Sequence, residues 1–425
     1  MRQSYQCPGE SYPISRAVHL ARLAAGYAPC DHCRHFSEQG TLPVERPPAL
    51  SMGAPQPLFE TDRVWRSERN ASGRRDLLAA ATAVAAVLTS ECPWELPASA
   101  WEGASARAPS PPRVVLGHDG ELPSQRLAGD VARTFSRAGC RVISIGASGR
   151  PAFELALESL AGRAGAYVES GGSPAGSGFS IVDGTGIPWS TGGELDRVAA
   201  RMSQGSGRAV RTAPAMETFD ATDAYCELLS TECAGLAEMT VGVIGLSTPM
   251  VRCWERIAPG TGLRLEQMPG PRLTQSDEPS PAAVRRLLDA IVRNRWSGGV
   301  IVGPDGRQAW VVDRRDGLLT SRDVGRRWLE SLGPEARERR ATVVVYEPAM
   351  WLELDVGRSR LWFCPPTQES LVRAMRAEQA VLGADGMGRF WTGGARPRCD
   401  ALGTIAAAAR AWGESAERRP SRAAG

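Results

Sequence analysis

Between residues 113 and 171, short apolar runs alternate with stretches of helical pattern, and this spacing limits the possible folds more than any other feature. A run at 114–116 is followed by a helical stretch at 124–138, a run at 141–145, a second helix at 151–160 and a run at 166–168. Strands spaced by helices of this length form a parallel α/β unit. The alternation recurs downstream, with helices at 222–229, 251–257, 281–293, 321–332 and 368–378 around strands at 240–244, 299–302, 309–312, 341–346 and 380–383. The helix at 281–293 carries Val284, Leu287, Leu288 and Ile291 at helical spacing, which predicts a buried stripe. An apolar helix at 76–88 precedes the first strand, a helix at 194–202 closes the first unit, and an alanine-rich helix follows Asp400.

A chain of 425 residues has room for two to four domains, and 42% hydrophobic content excludes disorder throughout. Breaks fall at the Pro-rich stretch 43–57, at 93–112, which reads as an insertion or flap, and at Gln204-Gly-Ser-Gly-Arg208. A short helical pattern spans 14–25. The expected division is a Cys/His-rich segment at 1–45, α/β domains at 46–208, 209–298 and 299–413, and a charged, disordered tail at 414–425. All 50 basic residues are arginine, and the net charge of +3 is too small to argue for a polyanion partner. Without lysine, a Schiff-base, P-loop or general-base lysine is excluded. No apolar run approaches the ~18 to 20 residues of a membrane span and no signal-peptide core opens the chain, so the expectation is a cytoplasmic protein with no membrane partner.

Four loops carry the residues of interest. The turn Gly117-His-Asp-Gly120 lies at a strand's carboxyl end, where parallel sheets place ligands. The run at 166–168 leads into Glu169-Ser-Gly-Gly-Ser-Pro174, with a restart at Gly178-Phe179. Gly303-Pro-Asp-Gly-Arg-Gln308 joins two strands, and Gly383-Ala-Asp-Gly-Met-Gly-Arg389 follows another. In order and spacing, residues 76–413 resemble the phosphohexomutase superfamily of phosphoglucomutases and phosphomannomutases. That resemblance implies successive three-layer α/β/α domains around a shared groove, preceded here by a small Cys-rich segment. No counterpart of the family's fourth, phosphate-clamping domain is recognised.

The family's phosphoserine loop reads Thr-Ala-Ser-His-Asn-Pro. Anchored on Pro174, its serine position is Gly171 and its histidine position Gly172. Glycine has no oxygen to carry a phosphoryl group. A one-residue slip presents Ser170 or Ser173 instead, and a plain Gly/Ser turn between strands accounts for the same residues. The family's turn Gly-Arg-Asp-x-Arg keeps Asp119 and has His118 for its first arginine. Of the Mg²⁺ loop Asp-Gly-Asp-Ala-Asp-Arg, only Asp305 survives as a ligand, with Gly303 and Arg307 at the other two positions. An arginine in the ligand ring repels Mg²⁺, so Mg²⁺ is not expected; a Pro-Asp-Gly turn explains the segment equally. In the sugar loop, Gly-Glu-x-Ser-Gly, Asp385 keeps the acid one carbon shorter and Met387 replaces serine, which leaves sugar hydroxyls poorly paired. The expectation is a non-catalytic or strongly divergent relative that binds a phosphorylated sugar or a protein. The alternative is an active mutase or phosphatase using Ser170 or Ser173 with His118 and Asp119.

The N-terminal segment holds Cys7 and Cys30-Asp-His-Cys33, and three of the four histidines lie within residues 19–35. Two thiolates at Cys-x-x-Cys spacing share a zinc ion from one tight turn. The expected structural zinc set is Cys7, Cys30, Cys33 and His35, with His32 and His19 competing for the fourth place. A redox-active or surface thiol pair is the other reading. The segment also fits a docking module for a protein partner. Arg2, Arg16, Arg22 and Arg34 with Tyr5, Tyr12 and Tyr27 raise nucleic acid as a third possibility, against which the sparse basic surface argues.

Overall fold

A computed structural model of the chain describes residues 4–6, 13–15, 18–19, 22, 35, 58–60, 62–67, 73–90, 110–171, 176–204, 213–270, 278–331, 342–345, 360–394 and 396–417. It forms two compact units, Met1–Gln56 and Pro57–Gly425. In the first unit, β1 (Ser4–Tyr5) pairs antiparallel with β2 (Ile14–Ser15), and Tyr5 faces Ile14 in a small buried pair. The helix expected from residue 14 therefore begins later. β-branched Ile14 stays extended, and Ser15 acts as the cap: its Oγ accepts from the Val18 N–H at 3.4 Å, with Val18, His19 and Arg22 helical.

The second unit begins with a seven-stranded sheet. Its strands are β3 (Phe59–Glu60), β4 (Arg63–Ser67), β5 (Arg113–His118), β6 (Arg141–Ala147), β7 (Ala164–Gly171), β8 (Gly176–Asp183) and β9 (Glu217–Thr218), in the order β3-β4-β8-β7-β5-β6-β9. β5 runs parallel to both β6 and β7, as the strand–helix alternation requires, while β8 folds back antiparallel on β7 and β4 pairs antiparallel with β8. Successive side chains of a strand face opposite ways. Val114 and Leu116 thus share a core with the helices Gly73–Ser90 and Leu122–Arg137, and Val115 packs with Phe153 and Leu157 of the helix Arg150–Ser159 on the opposite face. The result is three layers.

The second sheet contains β10 (Met239–Ile244), β11 (Leu263–Met268), β12 (Gly298–Val302), β13 (Ala309–Asp313) and β14 (Gly317–Leu318), ordered β11-β10-β12-β13-β14. The third contains β15 (Thr342–Val345), β16 (Arg360–Phe363), β17 (Leu382–Ala384), β18 (Phe390–Thr392) and β19 (Arg398–Cys399), ordered β16-β15-β17-β18-β19. The two sheets repeat one topology: a first strand flanked by two parallel neighbours, then two antiparallel steps.

β12 and β13 complete the second sheet; they do not open a third domain at residue 299. Gly298 and Gly299 admit large neighbours there: a Cβ would lie 2.2 Å from the Trp412 ring at Gly298 and 2.9 Å from Leu287 at Gly299. The last helix, Ala401–Glu417, shares a core with Val311, and its Trp412 indole N–H donates to Asp313 Oδ2 at 3.0 Å. It runs past the expected start of the tail at 414, and residues 418–425 lie outside the described residues. Among the described residues, no helix is long and apolar enough to cross a membrane.

Candidate functional site

In each sheet the hairpin that follows the last parallel strand carries one of the loops singled out in the sequence. The first joins β7 to β8. Ser170 pairs with Ser177 and Gly171 with Gly176, so Ser170 belongs to the strand. Gly172 and Ser173 lie outside the described residues. Gly171 has φ +117°, a backbone that favours glycine.

Asp119 fastens this hairpin to the β5 turn. Its Oδ2 accepts from the Ser170 N–H at 2.8 Å; its Oδ1 accepts from the Glu121 N–H at 2.9 Å and from the Ser124 hydroxyl. His118 Nδ1 accepts from the Gly120 N–H at 3.1 Å, and burial lowers its pKa against the opposing pull of Asp119. The neighbouring pair is thus engaged in shaping the turn: a carboxylate holding backbone donors and an imidazole held toward its neutral form.

The second hairpin joins β12 to β13. Asp305 and Arg307 are both buried, with 3% and 6% of their surface exposed. Asp305 Oδ1 accepts from the Arg307 N–H at 3.0 Å and Oδ2 from Arg307 Nε at 2.5 Å. Burial favours the protonated acid, but Arg307 and then Arg150 outweigh it and lower the pKa. For Arg307, burial disfavours the cation, and Asp305 followed by Glu154 more than offsets it, so the pKa is raised. Arg307 Nη1 also donates to Gln368 Oε1 at 2.8 Å, and Gln368 Nε2 donates to Asp62 Oδ2 at 3.0 Å.

The residues of this hairpin do not fit the Mg²⁺ that the fold family implies. Both Asp305 oxygens are engaged by Arg307, and a guanidinium stands where a third carboxylate is needed. At Gly303 a Cβ would come within 2.7 Å of Gln308 Oε1, so the remaining ligand position is filled by a neighbouring side chain. Among the described residues, no cluster of three or more His, Cys, Asp or Glu side chains is arranged to hold a metal ion.

The third hairpin joins β17 to β18. Asp385 is fully buried; Oδ1 accepts from the N–H groups of Met387 at 2.9 Å and Arg389 at 3.0 Å, and Oδ2 accepts from Arg389 Nε. The second and third hairpins also bind each other, through Gln308 Nε2 to Met387 O at 3.2 Å and Ala309 N to Gly388 O at 2.8 Å. The acid of the sugar-type loop thus closes its own turn with an arginine, as Asp305 does.

Sequence reasoning missed the groups that join these loops to the first sheet. Arg150 follows β6 and is 2% exposed; its backbone N–H donates to Asp305 O at 3.0 Å, and its guanidinium reaches Ser180 Oγ and lies 3.4 Å from Glu154. Glu169, 4% exposed, lies 3.9 Å from Arg63, whose guanidinium stacks 4.4 Å over the Trp65 ring. Burial pushes the Glu169 carboxyl up to about 7, with Arg150 the main opposing influence. One signal was available: Glu169 alternates with Tyr167 on a buried strand, and an acid on that face needs partners.

Of the expected zinc set, Cys7, Cys30 and Cys33 lie outside the described residues, as does His32, whereas His35 and His19 are described.

Residues 97–205 match the family described as phosphoglucomutase/phosphomannomutase, alpha/beta/alpha domain I. No curated protein matches the chain by sequence. Solved structures share the fold. A phosphoglucomutase/phosphomannomutase family protein from Burkholderia thailandensis superposes with a TM-score of 0.65 at 15% identity, over 83% of this chain and 76% of the other. A putative phosphomannomutase from Thermus thermophilus gives 0.65 at 17% identity, over 86% and 82%. The parafusin phosphoglucomutase of Paramecium gives 0.64 at 11%, over 86% and 72%. The family match thus covers the first α/β domain, and the solved structures share the fold. In this chain the second and third loops are each closed by an aspartate–arginine pair.

Proposed function

We propose that this chain is a divergent phosphohexomutase-superfamily protein that has lost metal-dependent phosphoryl transfer and binds a phosphorylated sugar without converting it. The observation that carries this reading is the buried Asp305–Arg307 pair. Phosphoryl transfer works almost wholly by positioning and electrostatic stabilisation, and here a fixed guanidinium takes up the carboxylate that would otherwise face a cation. Two further features support it: the serine position anchored on Pro174 is Gly171, and Asp119 is occupied in holding backbone donors. Retained binding is supported by the domain I match and by the joining of the second and third hairpins.

The test is incubation with glucose 1-phosphate or mannose 1-phosphate and Mg²⁺, followed by phosphorus NMR and by mass spectrometry of peptides spanning 164–183. The expected result is no isomerised or hydrolysed sugar and no phosphate on Ser170 or Ser173. Turnover, or a phosphopeptide there, would overturn the loss of chemistry. A thermal-shift series with the same sugars should raise Tm, because a ligand of the folded state stabilises it; an unchanged Tm at millimolar sugar removes the binding half of the proposal.

A further inference from the structure

In the second sheet β11 is the outermost strand among the described residues, paired on one side with β10. Which of its backbone groups that pairing uses follows from one bond. The Met239 N–H donates to Gly262 O at 3.0 Å, while Met239 stands opposite Leu263 in the register. In an extended strand the N–H and C=O of one residue point to the same side, and successive residues alternate. Arg264, Glu266 and Met268 therefore turn these groups to β10, and Leu263, Leu265 and Gln267 turn theirs outward. A row of outward N–H and C=O groups is a template for another strand.

The side chains sort by the same alternation. Leu263 and Leu265 pack on the core that holds Trp254 and Ile257 of the helix Thr248–Ile257. On that face lies an open groove of about 470 Å³, lined by Trp254, Ala258, Pro259, Thr261 and Leu265. Arg264 and Glu266 lie on the opposite face, with side chains 77% and 36% exposed, and pair with each other at 2.6 Å. Around Leu265 the strand is thus antisymmetric in charge: a cation on one side and an anion on the other.

We infer that β11 pairs antiparallel with β11 of a second copy across a two-fold axis at Leu265, joining two five-stranded sheets edge to edge. At this register Leu265 meets its own copy and Leu263 meets Gln267, in hydrogen-bonded pairs made by the outward groups. Arg264 then faces Glu266 of the second copy, and Glu266 faces Arg264, at the positions where cross-strand side chains come closest. An axis at residue 264 or 266 would set arginine against arginine or glutamate against glutamate, which is destabilising, so the charges select the register. Leu265 and Gln267 of the second copy project on the face that carries the groove, which receives them as added strands are received at sheet edges. The corresponding edge of the third sheet, β16, carries Arg360 and no acid, so it offers no such match.

The experiment follows the full chain by sedimentation equilibrium over a concentration series, at low salt because exposed ion pairs are screened. The expected result is reversible monomer–dimer association. Arg264→Glu and Glu266→Arg should each weaken it by about tenfold or more, because each sets like charges opposite one another at both pairs. Mixing the two variants should restore it as a heterodimer, since one strand then carries only acids at 264 and 266 and the other only bases. Misfolding cannot be cured by combining two damaged chains, so the mixture separates loss of pairing from loss of fold. Hydrogen exchange reads the edge itself: the amides of Leu263, Leu265 and Gln267 should exchange rapidly in dilute protein and slow as the dimer forms, whereas those of Arg264, Glu266 and Met268 stay protected by β10. A chain that is monomeric up to millimolar concentration overturns the proposal, as does a dimer that both charge reversals leave intact or a mixture that fails to associate. Protection of Leu263, Leu265 and Gln267 in the monomer also overturns it, because the edge is then covered from within the chain.

Discussion

Glu169 immediately precedes Ser170, a residue that attracts attention in the sequence, and the fold perturbs its ionisation. Its carboxyl has a folded pKa of about 7 against an ordinary value of 4.5, because burial penalises the charge more than Arg150 and Arg63 relieve it. Below pH 4.5 both folded and unfolded chains hold the proton. Between 4.5 and 7 the unfolded chain releases it first, so the folded state binds more protons and its stability falls as pH rises; above 7 the loss is complete. Glu169→Gln removes this dependence. Relative to wild type, the variant should gain stability between pH 5 and pH 8 by up to about 3 kcal/mol, read from denaturant midpoints at both pH values. A difference that does not change with pH would mean that the acid is already ionised in the fold. At this scale the sequence displayed Asp305, Arg307 and Asp385 by motif position, but their pairing was hidden because it depends on two turns closing on themselves.

The hairpin is the element that builds the site, and its glycines are specific to their places in it. Gly306 has φ +81°, donates to Gly303 O at 3.1 Å, and accepts from the Ala401 N–H at 2.9 Å through its own carbonyl. Gly306→Ala puts a Cβ on a left-handed backbone and 2.8 Å from Met250 Sδ. The thioether can yield, so the backbone carries most of the cost, roughly 1 to 2 kcal/mol, measured as a lowered denaturant midpoint at unchanged slope. A neutral result would show that the turn relaxes to another form. The central parallel strands of these hairpins were legible as apolar runs because they are covered on both faces. Several of their neighbours, two antiparallel and two parallel, were not. Arg63–Ser67 mixes arginine with Val64 and Trp65, Gly176–Asp183 opens Gly-Ser-Gly like a turn, and Leu263–Met268 and Arg360–Phe363 interleave charged or polar with apolar residues. What makes each a strand is a neighbouring edge distant in sequence.

Across the larger unit, the three sheets meet in one chain of polar contacts: Asp62 between β3 and β4, Gln368 on the helix Gln368–Ala377 beside the third sheet, and Arg307 and Asp305 in the hairpin of the second, with Asp305 O returning to the Arg150 N–H. The order of these lobes was readable from the sequence. The boundary at 298 was misplaced, because nothing local distinguishes a strand that ends one sheet from one that begins the next. A relay of this kind couples the sheets only while its central cation is present. Arg307→Met keeps much of the side-chain volume but leaves Asp305 buried without its partner and breaks the link to Gln368, which should cost about 3 to 5 kcal/mol. Calorimetry of the wild type should show the unit Pro57–Gly425 unfolding in a single transition, and Arg307→Met should split it. Adding Asp305→Asn to that variant removes the unpaired charge but leaves the link broken, so part of the lost stability should return while the transition stays divided. If Arg307→Met lowers one undivided transition, the apolar core alone joins the lobes and the relay serves only the charge balance of its own hairpin.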